Sequence, residues 1–152
     1  MPEIHDTVLI QAKPEAVWEI LVDPHYEPKL YPDILNIVAK PPGRAVVGQK
    51  RTTSGRAGKR VVHFYTQVTE LIPLKRFALT GLRGGAFETF SQVVELSAVE
   101  GGTQASVTFF FKISEDYFGP DFDLMVLNEL SARNHDMYLK NLKGLSELQL
   151  VS

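Results

Sequence analysis

From Asp121 to Leu150 the chain runs without a proline or a paired turn signal, the longest such segment it has. Gly119 and Pro120 open this stretch, Asp121 and Asp123 sit where a helix dipole favours acids, and Lys140 and Lys143 come near its end. Leu127, Leu130, Asn134, Met137, Asn141, Leu145 and Leu148 recur at three- and four-residue steps, so they share one stripe of a single helix. At 1.5 Å per residue that helix is about 45 Å long, more than packing across one edge of a small sheet requires. The rest of the chain must supply a concave face for it to lie across.

The rest reads as strands. Pro41-Pro42-Gly43, Ser54-Gly55, Ile72-Pro73, Gly84-Gly85 and Gly101-Gly102 punctuate the middle of the chain at the intervals of an antiparallel meander. They divide it into six strands over residues 34–40, 47–53, 59–71, 75–83, 86–98 and 103–115. A seventh strand, Glu3 to Gln11, precedes them. Between it and the meander, Pro14 stands at a first helical position with Val17, Trp18 and Leu21 at helical spacing. Asp23-Pro24 ends that helix and starts another, from His25 to Tyr31, before Pro32. The expected fold is α+β: one domain in which a seven-stranded curved antiparallel sheet wraps around a long C-terminal helix, with two short helices between strands 1 and 2.

Composition removes several classes of chemistry. The 152 residues include no cysteine, which excludes disulfides, thiolate metal sites and a cysteine nucleophile. A net charge of −2 selects no partner. No basic leader with an apolar core opens the chain and no apolar run approaches a bilayer span, so a cytoplasmic protein is expected. His5, His25, His63 and His135 lack the spacing of a metal site, and no phosphate or dinucleotide fingerprint occurs, so no metal or cofactor is expected.

Four segments carry a family resemblance: Val8-Leu9-Ile10-Gln11-Ala12-Lys13-Pro14-Glu15-Ala16-Val17-Trp18; Asp23-Pro24 followed by Tyr31-Pro32-Asp33; Gly102-Thr103; and Asn141-Leu142-Lys143-Gly144-Leu145. In this order and at these distances the chain resembles the START-like helix-grip superfamily (SRPBCC), which includes polyketide cyclase/dehydrases and lipid-transfer and ubiquinone-binding proteins. The resemblance implies an apolar cavity between sheet and long helix, entered beside the second short helix, where Tyr26, Leu30, Tyr31 and Pro32 would form a gate.

Alternation assigns the cavity lining: Phe64, Phe77, Leu79, Phe90, Gln92, Val94, Val107, Phe109 and Phe111 from the strands, and Leu130, Asn134, Met137, Tyr138 and Asn141 from the helix. Asn134 and Asn141 on an apolar stripe require partners, which a ligand, water or strand groups could supply. On the same parity Glu88 shares a face with Phe90 and Gln92, making it a candidate interior acid or base unless Arg83 pairs with it or it is solvated at the strand end. His63 and Tyr65 share a face and form a second candidate proton-transfer pair.

Lys40, Arg44, Lys50, Arg51, Arg56, Lys59 and Arg60 fall between Asp33 and Glu70 with no acidic residue among them. A basic surface there would suit an anionic membrane or an acidic protein partner; nucleic acid fits least, because aromatic interleaving is missing. An outward Phe110 hints at a dimer face. Three functions follow: a carrier or sensor of a hydrophobic small molecule (lipid, isoprenoid or polyketide-like), a cyclase/dehydratase-type enzyme using Glu88 or His63, and an interaction module docking through the basic surface.

Overall fold

The computed structural model describes residues 3–120 and 122–148. Strand β1 (Glu3–Ile10) leads into helix α1 (Pro14–Val22), then through a single 3-10 turn (Pro24–Tyr26) into the short α2 (Glu27–Leu30). Strands β2 (Ile34–Lys40), β3 (Lys50–Ala57), β4 (Arg60–Ile72), β5 (Arg76–Leu82), β6 (Phe87–Val99) and β7 (Gly102–Ile113) follow. A one-turn helix, α3 (Glu115–Phe118), precedes the long α4 (Leu124–Leu148). All seven strands form one antiparallel sheet in the order β1-β7-β6-β5-β4-β3-β2. The meander is thus as expected, and β1 closes it by pairing with β7 from Glu3↔Phe110 to Ile10↔Thr103.

Local chemistry accounts for the element ends. Pro14 and Glu15 occupy the first turn of α1, which buries Val17, Trp18, Ile20, Leu21 and Val22. The Asp23 carboxylate accepts from the His25 amide at 2.9 Å and starts the next turn. Asp123 does the same for α4, accepting from the amides of Met125 and Val126 at 3.0 and 3.3 Å. The expected helix start at Asp121 and helix end at Leu150 lie outside the described residues.

One turn is displaced. Ser54-Gly55 reads as a turn in the sequence, yet both lie inside β3, and the chain reverses at Gly58, whose φ is +64°. Gly55 is there for proximity: a Cβ on it would stand 3.2 Å from the Asp33 carbonyl oxygen, which instead accepts the Arg56 amide at 2.8 Å. That approach brings the exit of α2 against β3.

β7 alternates cleanly, with Thr103, Ala105, Val107, Phe109, Phe111 and Ile113 inward. β6 does so from Phe90 onward, but its register slips between Phe87 and Thr89. Among the described residues no helix is long and apolar enough to cross a membrane.

Candidate functional site

Between the sheet and the first half of α4 lies a cavity of about 90 Å³. That is of the order of a cavity that accepts one benzene, and below the few hundred Å³ of a drug-sized site. Its apolar wall comes from Val62, Phe64, Leu79, Ala86, Phe87, Phe90 and Ile113 of the sheet side, Phe118 of α3, and Leu127 and Leu130 of α4. Phe64, Phe87 and Phe90 pack in one cluster, edge-on or tilted to one another, with ring centroids 5.2–6.1 Å apart. The lining also includes the exposed Arg56 and the half-exposed Asp33, Leu127 and Ser131, which mark the end where the cavity meets the surface.

At the other end the lining is polar and buried. Arg51 is 1% exposed: its Nη1 faces the Glu27 carboxylate at 3.3 Å and its Nε donates to Gln49 Oε1 at 3.0 Å. Phe77 packs under the guanidinium at 5.4 Å. Arg51 Nη2 is buried with no partner. Burial pushes the Glu27 carboxyl up from its usual value, and Arg51 pulls it part of the way back. Gln49 holds the strand's start in place, its amide donating to the Pro41 and Gly43 carbonyls at 2.9 and 3.1 Å.

Beside this pair runs a short relay. The Tyr31 hydroxyl donates to Gln92 Oε1 at 2.5 Å, and Gln92 Nε2 donates to the Tyr138 hydroxyl at 3.3 Å. Burial, with the charge of Glu27 added, raises both tyrosines well above their ordinary pKa. His135 completes the polar end, stacked on Phe109 at 4.1 Å and edge-on to Tyr31 at 5.7 Å. Its Nδ1 is buried without a partner, and burial lowers its pKa to about 3, so the ring is neutral at physiological pH.

Of the residues expected to meet a ligand, Phe64, Leu79, Phe90, Gln92, Leu130 and Asn134 from the assigned lining border the cavity, and so does Tyr31, expected at the gate. Phe77, Phe109, Phe111 and Tyr138 are fully buried behind that wall, and Met137 and Asn141 lie on the flank of α4, only partly buried. The two asparagines are satisfied by the protein itself. Asn134 Nδ2 donates to Asp33 Oδ2 at 2.8 Å while its Oδ1 accepts the Asp33 amide at 3.3 Å, and Asn141 Nδ2 donates to the Leu30 carbonyl at 2.8 Å. They clasp α4 to the exit of α2.

Three expectations need correction. Glu88 is not interior: it is the extra residue of the bulge between Phe87 and Thr89, which turns Phe87 inward in its place, and its carboxylate pairs with Lys112 at 2.7 Å in solvent. Arg83 is not its partner. His63 is exposed, bonded to Ser54 Oγ at 3.0 Å on the outer face of the sheet, so the His63/Tyr65 pair is remote from the cavity. The basic surface also divides. Lys50 and Arg51 are neighbours in a strand and must face opposite ways; Arg51 is the one inside. Lys50 pairs across from Gln67 at one end of β3, and Arg56, Lys59 and Arg60 cluster at the other.

Sequence reasoning missed Glu27, Arg51, Phe87 and His135. His135, Tyr138, Leu139, Leu142 and Ser146 follow the i, i+3, i+4, i+7, i+11 pattern of a buried stripe, so His135 had a signal. The Glu27–Arg51 pair had none, because it joins elements 24 residues apart.

A family model described as polyketide cyclase/dehydrase and lipid transport matches residues 1–147. A search of the curated proteins finds no match. Among solved structures, the Zhui aromatase/cyclase of a Streptomyces species is similar over 98% of this chain and 95% of its own, with 18% identity and a TM-score of 0.79. A protein from Thermus thermophilus aligns over 99% and 100% at 17% identity and a TM-score of 0.75. A START superfamily protein from Mycobacterium smegmatis aligns over 97% and 98% at 16% identity and a TM-score of 0.72. At these identities the likeness is one of fold.

Proposed function

Because the chain belongs to the polyketide cyclase/dehydrase and lipid-transport family, we propose that it binds one small, mostly apolar, uncharged molecule whose oxygen atoms meet Arg51 and His135. The observation that carries this reading is the pair of unpartnered buried nitrogens, Arg51 Nη2 and His135 Nδ1, on residues that line an aromatic cavity. A buried polar group without a partner costs about 1–3 kcal/mol, and a ligand oxygen at Nη2 removes that cost. A carbonyl or hydroxyl fits better than a carboxylate: Glu27 already balances Arg51 and His135 is neutral, so a ligand anion would be an uncompensated buried charge. The volume suits a single ring or a short isoprenoid unit; a longer polyketide or lipid requires the first half of α4 to move outward.

Binding is favoured over acid–base catalysis by the same groups. An efficient general acid or base has a pKa near the working pH. His135, at about 3, is a weak base; Tyr31 is too weak an acid; and Glu27 is committed to Arg51. Glu88 and His63 are outside the cavity. The chain therefore reads as a carrier or sensor of such a molecule.

Native mass spectrometry of the gently purified chain, followed by denaturing extraction, tests the reading. A stoichiometric apolar compound bearing an oxygen acceptor is expected, together with one-to-one binding of a neutral single-ring ketone, acetophenone, to the emptied protein. Ser131→Phe, which fills the cavity from α4, should abolish both. A clean apo mass combined with no probe binding, or binding indifferent to Ser131→Phe, overturns the reading.

A further inference from the structure

The cavity's outer end is framed by a group of side chains that ligand binding does not explain. The first turn of α4 is apolar on every side: Leu124, Met125 and Val126 are 40, 72 and 48% exposed, and Leu127 turns into the cavity. The β3–β4 hairpin, which contributes Arg56 and Ala57 to the same cavity, carries the exposed cations Arg56, Lys59 and Arg60 and the 53%-exposed Val61. Aromatic contacts join the two. Arg60 lies over the rings of Tyr117 and Phe118 at 5.8 and 5.2 Å and donates to the Phe118 carbonyl at 3.3 Å, and Phe118 packs on Phe122 at 5.9 Å, just before α4.

A row of exposed aliphatic side chains beside a run of cations is the composition of a surface that enters the interface of an anionic membrane. Among the described residues, the acids of this end have other neighbours: the Asp33 carboxylate, beside Arg56, accepts from Asn134 at 2.8 Å. Asp123 caps α4. Glu115 acts on the charge of Lys112, and Asp116 borders a groove that Lys112 and Arg83 also line. Glu3 and Glu129 border a groove on the β1 side of α4, which Leu124 and Met125 also line, so these two acids adjoin the apolar turn on the side away from the hairpin's cations. Between Asp33 and Glu70 there is no acidic residue to oppose the hairpin's charge.

We propose that this end, the first turn of α4 with the tip of the β3–β4 hairpin, docks on an anionic phospholipid bilayer and brings the cavity's outer end to the membrane. The surface is a narrower one than the whole basic run of the sequence, since Arg51 is buried and Lys50 stands at the far end of β3. It is independent of what the cavity binds.

Flotation of the full chain with vesicles tests the proposal. The protein should float with phosphatidylcholine vesicles containing about a third phosphatidylglycerol and stay behind with phosphatidylcholine alone, and the bound fraction should drop as salt is raised to about 0.5 M. Met125→Asp and Lys59→Glu, both at exposed positions that leave the fold intact, should each reduce binding about fivefold or more, whereas Lys50→Glu should leave it unchanged. Because the chain has no cysteine, a nitroxide can be placed on Met125→Cys or Val99→Cys alone; only the label at 125 should report the bilayer interior. No flotation, equal binding to neutral vesicles, or equal loss in Lys50→Glu overturns the proposal. A dimer in free solution that Met125→Asp converts to monomer also overturns it, by giving the patch to a second copy of the chain.

Discussion

In α4 every buried side chain, His135, Tyr138, Leu139, Leu142 and Ser146, lies from the middle of the helix onward, whereas from Leu124 to Asn134 none is buried. Leucine and methionine are about as frequent in one half as in the other, so apolar content does not set the difference. What faces each half does. The second half packs on β1, α1 and α2 and meets filled core; the first half faces the cavity on one side and solvent on the other. One helix thus serves as an anchor along half its length and as a cavity wall along the rest.

The largest test of this division is a matched pair of truncations. Leu142 is 0% exposed and surrounded by core, so Leu142→Ala should lower stability by about 2–5 kcal/mol, the cost of lost burial plus a new cavity. Leu130 already borders empty space and is partly exposed. Leu130→Ala should cost less than about 1.5 kcal/mol and instead change which ligands the cavity admits. Urea denaturation of both variants measures the contrast; equal losses would erase the distinction between the halves.

His135 sits at the boundary and lets pH sharpen the comparison. Its ring is held neutral in the fold, with a pKa of about 3, against about 6.5 in the unfolded chain. The unfolded state therefore binds the extra proton as pH falls through 6.5, and the fold loses stability from there down toward pH 3. The slope is about 1.4 kcal/mol per unit. Glu27 moves in the opposite sense, since its raised pKa stabilises the fold as pH falls, so the test is a difference. Between pH 7.5 and 5 the stability of the native chain relative to His135→Phe should fall by about 2 kcal/mol, Glu27 being common to both proteins. A pH-independent difference would show that His135 is not held neutral by burial.

The same boundary explains how far the sequence could be read. Strand number and order were legible because turn residues and alternation are local, and β7 keeps its alternation from Thr103 to Ile113. The cavity's aromatic lining was legible only in part. A single extra residue at Glu88 exchanged a carboxylate for Phe87 at the wall, and no local signal marks that bulge. The stripe that runs through Asn134, Met137 and Asn141 is one residue out of phase with the buried stripe of α4, a rotation of about 100° on a 3.6-residue helix. Centring it on Asn134, Met137 and Asn141 placed the clasping amides inside and left His135 out. Polarity misled the reading in both directions: the histidine is buried and the asparagines lie on the flank, reaching to Asp33 and Leu30.

Those two asparagines provide the finest comparison of the halves. Asn141 donates to the Leu30 carbonyl, and Leu30 is 1% exposed, so Asn141→Ala should cost about 1 kcal/mol in stability, the net worth of one hydrogen bond. Asn134 bonds Asp33 at the cavity's outer end, where both residues are half-exposed and water can replace the lost partners. Asn134→Ala should therefore change stability by less than about 0.5 kcal/mol. Its effect should appear in kinetics, because the Asp33–Asn134 clasp ties the cavity-facing part of α4 to β2 and β3 across the opening. Stopped-flow release of bound acetophenone, followed by protein fluorescence, should be several-fold faster in Asn134→Ala and unchanged in Asn141→Ala. Asp33→Ala should accelerate release to the same degree, and the double variant no further, since the two residues act as one unit. Additive acceleration, or faster release in Asn141→Ala as well, would mean that α4 yields along its whole length rather than at its first half.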